Sequence, residues 1–134
     1  MKFTKLVGLI CFTLILSAPP VMAESIASKI EQLGKMDEVS VVGIKKVVRD
    51  GLVRLQIELS NADNEIQQFT WRIRWLDDSG FQVGSEEVWK PEVIYGKQKK
   101  VLSTVAPSPQ ATDFKVELYS PENYANGANE PSKN

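Results

Sequence analysis

The chain has 134 residues, with 16 lysines and arginines, 17 acidic residues, one cysteine and no histidine. This near-neutral balance lacks the excess of basic residues that is typical of nucleic-acid-binding proteins and of proteins that bind membrane surfaces through a polybasic patch. Without histidine the usual catalytic triads and most zinc sites are excluded, and no glycine-rich phosphate loop is present. We therefore expect no cofactor and no metal.

The first 23 residues have the three parts of a secretory signal peptide. Lys2 and Lys5 give a positive start, residues 6–16 form an apolar run, and residues 21–23 (Val-Met-Ala) form a cleavage site. The apolar run is too short for a membrane-spanning helix, which needs about 20 residues. We expect cleavage after Ala23 and a soluble periplasmic protein without a stable membrane anchor.

The single cysteine, Cys11, does not fit a lipid-attachment site. The bulky Ile10 precedes it, where the lipoprotein peptidase needs a small residue. Cleavage after Ala23 would leave 134 − 23 = 111 residues, enough for one domain, with 14 basic and 17 acidic side chains. This chain would hold no cysteine, so its stability would depend on a hydrophobic core rather than on a disulfide.

The segment after the cleavage site, residues 24–38, carries apolar residues at spacings of four and three, namely Ile26, Ile30 and Leu33. This spacing predicts either a short amphipathic helix, with Ser25 as its N-cap, or a flexible lead-in. The main domain is predicted to extend over residues 39–120. Residues 121–134 are rich in Asn, Pro, Ser and charge, which predicts a disordered tail.

The first two strands are predicted on either side of Asp50-Gly51, a dipeptide that favours a two-residue hairpin turn. Lys46 does not fit the hairpin, because the register places it opposite Leu55 on the apolar face. Either its stem reaches along an edge, or a bulge near Gly43 shifts the first strand. The apolar pairs that the turn predicts are Val48 with Val53, Ile44 with Ile57, and Val42 with Leu59.

The strongest strand signal is the strict alternation from Phe69 to Asp77. One face carries Phe69, Trp71, Ile73 and Trp75, and the other carries Thr70, Arg72 and Arg74. A strand turns successive side chains to opposite faces, so the aromatic face is predicted to form the centre of the core. The arginine face is either a solvated, salt-bridged surface or a partner-binding face shared with Arg54 and Glu58.

Shorter alternating segments follow at residues 81–89, 100–105 and 114–119, separated by turn residues. Between them, Pro91 cannot donate to a strand ladder, which places its segment at an edge or in a loop. Six to seven short strands with turn signals about every 8–12 residues predict an all-β, immunoglobulin-like antiparallel β-sandwich. A short N-terminal helix accompanies it if residues 24–38 are helical.

Candidate partner-binding residues lie around Pro91. Trp89 and Tyr95 could form an aromatic platform for a sugar ring or a proline-rich peptide. Lys97 and Lys99 follow and would attract an acidic partner over the short range that salt allows. The alternative for Trp89 is that it closes one end of the sandwich over the core.

Acidic residues are the remaining candidates for chemistry: Asp77, Asp78, Glu86, Glu87 and Glu92. Glycoside hydrolysis needs two carboxyl groups across a cleft, one of them with a raised pKa. These acids fall in turns and beside exposed positions, which favours solvated loops over a hydrolase. Their spacing also lacks the regularity of a calcium loop.

A set of residues in the second half of the chain forms a pattern typical of one family. The set comprises the aromatic alternation into Trp75 with Asp77 and Gly80, then Trp89-Lys90-Pro91, Gly96, Ala106-Pro107, Ala111 and Phe114. With these residues the chain, from about Val41 to Tyr119, resembles the YcfL-like family of small secreted bacterial proteins of unknown function. The resemblance implies an immunoglobulin-like sandwich in the cell envelope with no established activity.

Relatives in that family are often encoded beside a lipoprotein activator of peptidoglycan synthesis, and many resemble lipoproteins themselves. This chain departs from them in lacking a usable lipid-attachment site. We therefore predict a non-catalytic periplasmic interaction module, associated with the cell envelope or peptidoglycan-synthesis machinery, whose partner is an envelope protein or a glycan. The alternative is a divergent carboxylate-dependent hydrolase or a glycan-binding module of the cell wall. The sequence does not indicate the oligomeric state.

Overall fold

The computed structural model describes residues 25–120, which form a two-layer β-sandwich with seven strands and one short helix. The predicted signal peptide and the predicted tail lie outside the described residues. No helix within the described residues is long and apolar enough to cross a membrane. The elements are α1 (Ile26–Lys29), β1 (Ile30–Leu33), β2 (Val39–Arg49), β3 (Leu52–Asn61), β4 (Gln67–Leu76), β5 (Lys90–Ile94), β6 (Lys99–Val105) and β7 (Asp113–Tyr119).

The strands form a four-stranded sheet in the order β1-β7-β4-β5 and a three-stranded sheet in the order β2-β3-β6. Strands β2-β3-β6 facing β7-β4-β5 match the A-B-E and F-C-C′ strands of an immunoglobulin domain, so the predicted fold class is confirmed. The place of the last immunoglobulin strand is taken by β1, which runs parallel to β7. The sequence predicted an antiparallel sandwich, and the parallel pairing of β1 with β7 departs from that prediction.

The N-terminal segment differs from both predicted forms, because only Ile26–Lys29 are helical and Ile30–Leu33 form β1. A helix of one turn has little stability of its own. In β1, Ile30 pairs with Val116 of β7 and packs against the core. The adjacent Lys29 is buried with its Nζ 2.6 Å from a carboxylate oxygen of Asp113. These contacts draw the segment into the sheet.

The β2–β3 hairpin has the predicted turn, with positive φ angles of 54° at Asp50 and 76° at Gly51. The predicted pairs of Val48 with Val53 and of Ile44 with Ile57 are confirmed. The third predicted pair is wrong by one residue. Val41, not Val42, lies opposite Leu59, because the register shifts at a bulge between Val41 and Gly43.

Lys46 remains opposite Leu55, because the bulge lies farther along the strand. The Nζ of Lys46 donates a hydrogen bond to the carbonyl of Thr112. Its stem thus crosses apolar surface while its ammonium reaches a polar group. Both devices that the sequence offered as alternatives, the bulge and the extended lysine, are present.

The centre of the core is β4, as its alternation predicts. The four large residues Phe69, Trp71, Ile73 and Trp75 are each at most 5% exposed. They belong to one cluster with residues of the two neighbouring central strands: Leu55, Ile57 and Leu59 of β3, and Phe114, Val116 and Leu118 of β7. The opposite face of β4 consequently lies outside the sandwich.

One end of the sandwich is fixed by Asn61, which is 1% exposed. Its Nδ2 lies within 3.2 Å of the carbonyl oxygens of Glu65, Ile94 and Tyr95. The chain passes so close to Gly96 that a Cβ atom there would lie 1.8 Å from the carbonyl oxygen of Asn64. These contacts hold the turn after β5, which carries Tyr95.

We expect Trp75→Ala to lower the free energy of unfolding by roughly 3–5 kcal/mol, because it leaves a cavity in the core. It also removes the hydrogen bond that the indole N–H donates to Glu87. Gln56→Ala, on the exposed face of β3, is the control and should change stability by less than about 0.5 kcal/mol. Urea melts measure both. Similar losses would contradict the strand orientation.

Candidate functional site

The candidate site is the surface of the four-stranded sheet that points away from the core, called here the outer face. Paired residues on neighbouring strands share a face of the sheet. Arg72 pairs with Glu117, and Glu117 pairs with Glu31, so these three residues form one row across the outer face. A second row joins Leu33, Tyr119, Thr70 and Pro91.

A buried carboxylate, Glu117, lies at the centre of this face and is 4% exposed. It accepts a hydrogen bond from the Nε of Arg72. The Nε of Arg74 lies 2.9 Å from its other oxygen, in an electrostatic contact rather than a directed hydrogen bond. Arg74 also forms an ion pair with Glu31, and the Nη1 of Arg72 lies 3.1 Å from a carboxylate oxygen of Glu86. The network therefore ties β1, β7 and β4 together.

Burial of Glu117 acts to raise its pKa, but the hydrogen bond from Arg72 and the charges of Arg72 and Arg74 outweigh it. The pKa of Glu117 is therefore below its ordinary value of 4.5. The hydrogen bond to Glu117 in turn raises the pKa of Arg72, against the opposing effect of burial. Glu117 is thus ionised at neutral pH and acts as a counter-charge, not as a proton donor.

The connection between β4 and β5 does not form the strands predicted in residues 81–89. Gly80 and Gly84 have positive φ angles of 84° and 77°, which interrupt an extended chain. Phe81 and Val88 are 72% and 79% exposed, so the apolar alternation there does not correspond to burial. A single bridge, from Leu76 to Gln82, is all the pairing that this connection makes.

Glu87, in this connection, lies beside β4 beyond Trp71, where β5 no longer pairs and no other strand of residues 25–120 covers the edge. Its carboxylate accepts hydrogen bonds from the backbone N–H of Ile73 at 3.2 Å and from the indole N–H of Trp75 at 2.9 Å. The Nζ of Lys90 donates to the same carboxylate at 2.8 Å. Burial acts to raise the pKa of Glu87, but these hydrogen bonds outweigh it and lower the pKa.

Asp77 and Glu92, two of the other acidic candidates, also make structural contacts. Asp77 accepts hydrogen bonds from the backbone N–H groups of Ser79 and Phe81, each at 2.9 Å, and so closes a turn. Glu92 pairs with Lys100 of the other sheet. Within residues 25–120, no group of three acidic, histidine or cysteine side chains is placed to hold a metal ion.

Trp89 lies on the outer face, and the alternative that it closes the end of the core is wrong. Its ring lies 4.5 Å from the guanidinium carbon of Arg72 and 6.2 Å from the ring of Tyr119. A cation over an aromatic face is attracted by the ring quadrupole. Because Arg72 is itself held by Glu117, the half-buried indole has a fixed position.

A row of apolar side chains continues from Trp89 along β5 at two-residue intervals. We call Trp89, Pro91, Val93 and Tyr95 the β5 stripe. Pro91 is exposed, and Val93 and Tyr95 are 39% and 59% exposed. Ile66, which precedes β4 beside the same end of the sheet, is 52% exposed. Ile94, between the last two stripe residues, is 2% exposed, as expected of the opposite face.

The two lysines predicted to join these aromatics lie elsewhere. The turn after β5 crosses to the three-stranded sheet, where Lys99 begins β6. The Nζ of Lys99 lies 2.8 Å from a carboxylate oxygen of Glu58, and the Nζ of Lys97 donates to the carbonyl of Ala62. The structure therefore brings Trp89 and Tyr95 onto one stripe and directs both lysines to other contacts.

The prediction of one shared partner-binding face for the arginines of β4 and the charged residues of β3 is wrong. Arg72 and Arg74 lie on the four-stranded sheet, whereas Arg54 and Glu58 lie on the three-stranded sheet. Glu117 and Tyr119 were not among the site residues predicted from the sequence. The alternation of β7 was visible and placed both residues on its polar face. It carried no signal, however, that β7 would lie beside β4.

We expect Glu117→Gln to lower the free energy of unfolding by about 2 kcal/mol at neutral pH, because Arg72 and Arg74 lose their counter-charge. The pKa of Glu117 is lower in the folded chain than in the unfolded chain. Ionised Glu117 therefore makes its full contribution to the free energy of unfolding at pH values above the unfolded pKa. That contribution is lost as the pH falls below about 4.5 and through the folded pKa. The variant should therefore lose less stability on acidification than the unaltered chain.

Urea melts at several pH values between about 3 and 7 measure this difference. Glu86→Gln is the matched control, because Glu86 contacts the same Arg72 from a side chain that is 67% exposed. It should change stability by less than about 0.5 kcal/mol. If Glu117→Gln leaves the pH dependence of stability unchanged, the assigned role of this carboxylate is wrong.

Two crystal structures have a similar fold. Campylobacter jejuni cj0090 has a TM-score of 0.60 and 18% sequence identity, covering 69% of this chain and 97% of its own. A DUF1425 family member from Shewanella sp. pv-4 has a TM-score of 0.55 and 21% identity, covering 72% of this chain and 81% of its own. At these identities the similarity concerns the fold alone.

None of the curated proteins matches this sequence. A family described as "Protein of unknown function (DUF1425)" matches residues 26–120. The match begins at the first residue of α1 and ends just after β7, so it includes every strand of the sandwich. The chain belongs to the DUF1425 family of proteins of unknown function.

Proposed function

We propose that this protein is a non-catalytic interaction module of the cell envelope that binds another envelope protein through the β5 stripe. The observation that carries the proposal is the exposed apolar row on a sheet face. Pro91, Val93 and Tyr95 project from it, with Trp89 fixed at one end and Ile66 beside the other. Contiguous apolar surface of this kind is typical of protein-binding sites.

Contacts within the fold hold both ends of the stripe in place. Trp89 is held by Arg72, and the turn at Tyr95 is held by Asn61 and by the close passage of the chain at Gly96. Aromatic residues in fixed positions offer contact area with little loss of conformational entropy on binding. Such residues are common among those that dominate binding energies.

The side chains of the stripe, rather than the backbone of β5, would make the contacts. Pro91 has no N–H to donate along the free edge of β5. The outward carbonyl of Val93 already accepts a hydrogen bond from the Nζ of Lys100 at 2.9 Å. These features leave β5 little capacity to add a strand, so a partner would lie across the sheet face.

The envelope setting rests on the sequence. The signal-peptide pattern of residues 1–23 supports export, and the resemblance to the YcfL-like family supports a place near the peptidoglycan-synthesis machinery. A glycan that stacks on the aromatic side chains is the second candidate ligand. A carboxylate hydrolase has less support, because the shifted pKa values of Glu87 and Glu117 are lowered rather than raised.

The proposal is tested with a photoreactive amino acid at position 95 in living cells. The control carries it in place of Val47, which is 55% exposed on the other sheet. We expect at least tenfold more crosslinked protein from position 95. The double variant Val93→Ser, Tyr95→Ser should lower the crosslinking of a probe placed at exposed Gln68 by a similar factor, with an unchanged melt.

Equal crosslinking from positions 95 and 47 would contradict the proposed surface. A second outcome would identify a glycan, not a protein, as the ligand. In that outcome the chain forms no protein adduct but co-sediments with purified peptidoglycan, and the double variant abolishes the co-sedimentation. Release of soluble fragments from that peptidoglycan would instead establish the hydrolase.

A further inference from the structure

The described residues contain four strand edges, on β1 and β5 of one sheet and on β2 and β6 of the other. Proteins commonly obstruct such edges, because unpaired backbone groups attract other strands. Strand β1 has only four residues, and β5 is obstructed by Pro91 and by the lysine bound to Val93. Strand β2 has its bulge near Gly43 and the inward-facing Lys46.

Strand β6 is neither short nor interrupted by a proline or a bulge, and its one inward-facing charge is Lys100, opposite Leu59. Its seven residues, Lys99–Val105, contain no proline and no glycine, and they pair with β3 without a register shift. The side chain of Lys100 extends across the sandwich to Glu92 and Val93 of β5, not along the plane of its own sheet. No strand of residues 25–120 therefore pairs with the free edge of β6.

The direction of its backbone groups follows from the ladder with β3. Backbone bonds from Ala106 N to Val53 O at 2.8 Å and from Asn61 N to Gln98 O at 3.0 Å bracket that ladder. Hydrogen-bonded and non-hydrogen-bonded pairs alternate along an antiparallel ladder. The residues whose N–H and C=O point away from β3 are thus Lys99, Val101, Ser103 and Val105.

These four outward residues form no further backbone hydrogen bond within residues 25–120. Val101 and Val105, on the solvent face beside the edge, are 56% and 42% exposed. β-Branched residues on a free edge favour the addition of another strand. The open edge thus combines unpaired backbone groups with exposed apolar side chains.

We propose that β6 pairs antiparallel with β6 of a second copy of this chain, around a two-fold axis at Leu102. The two three-stranded sheets would then form one continuous six-stranded sheet. In this register all seven residues of β6 find a partner. The outward N–H and C=O groups of both copies would form about eight hydrogen bonds.

The side chains of β6 favour a second copy over an unrelated strand. The two-fold register places Lys99 opposite Val105, Lys100 opposite Thr104, Val101 opposite Ser103, and Leu102 opposite itself. No like charges therefore lie opposite each other, an arrangement that would be destabilising. Both lysines already have intramolecular counter-charges, Lys99 in Glu58 and Lys100 in Glu92.

The first test compares Ser103→Pro with Ser103→Ala in the chain as it is recovered from cells. Proline removes an outward N–H and should leave the ladder with β3 intact, whereas alanine keeps that N–H. Sedimentation equilibrium should show a dimer for the unaltered chain and for Ser103→Ala. Ser103→Pro should have a dimer Kd raised at least tenfold, and its melt should match that of the unaltered chain at concentrations low enough for both to be monomeric. A monomeric unaltered chain, or equal Kd values for both variants, would overturn the proposal.

The second test defines the register and does not depend on the proline variant. Residue 101 lies opposite residue 103 of the second copy, at a Cα separation of about 5.5 Å that a disulfide can bridge. An equal mixture of Val101→Cys and Ser103→Cys should form disulfide-linked dimers at least fivefold faster than either variant alone. The unaltered chain controls for Cys11. No excess in the mixture, or capture of a different polypeptide, would exclude the second copy as the occupant.

Discussion

A buried carboxylate beside two arginines is the constraint on which the four-stranded sheet depends. Removing a charge from water is costly unless a counter-charge and hydrogen bonds replace the lost hydration. Glu117 has both only while Arg72 lies directly opposite it and Arg74 lies two residues farther along β4, on the same face. A slip of one residue between β4 and β7 would place Glu117 opposite core residues of β4, so the ion pairs and the hydrophobic core select the same register.

The same contacts extend from the centre of the sheet to the candidate binding surface. Arg72 binds Glu117 on one side and lies over the ring of Trp89 on the other. Glu87 secures the uncovered edge of β4 and, through Lys90, the start of β5. The exposed stripe is therefore an extension of the core architecture and is not a loop that folds separately.

The parts of the fold that the sequence predicted are those with a local cause. The alternation around Trp75 and the turn at Asp50-Gly51 each act within a few residues, and both are confirmed. Strand β1 could not be predicted, because Ile30 is extended only through pairing with Val116, far along the chain. Long-range pairing also decides on which face Trp89 lies, because Trp89 is placed beside Arg72 only when β5 pairs with β4. Lys97 and Lys99 were placed beside Tyr95 by their position in the sequence, but Lys97 stays in the turn and binds the carbonyl of Ala62, and Lys99 begins β6 on the other sheet.

The two proposed surfaces occupy different parts of the sandwich, and this separation has a physical consequence. The β5 stripe points outward from the four-stranded sheet, whereas the open edge belongs to the three-stranded one. Pairing at β6 would leave the side chains of the stripe accessible, and the contact from Lys100 to Glu92 shows that β5 lies across from β6. A dimer joined at β6 would thus present two stripes near one seam. A partner that contacts both would bind the second at a high effective concentration, so a weak individual contact would become a stable attachment.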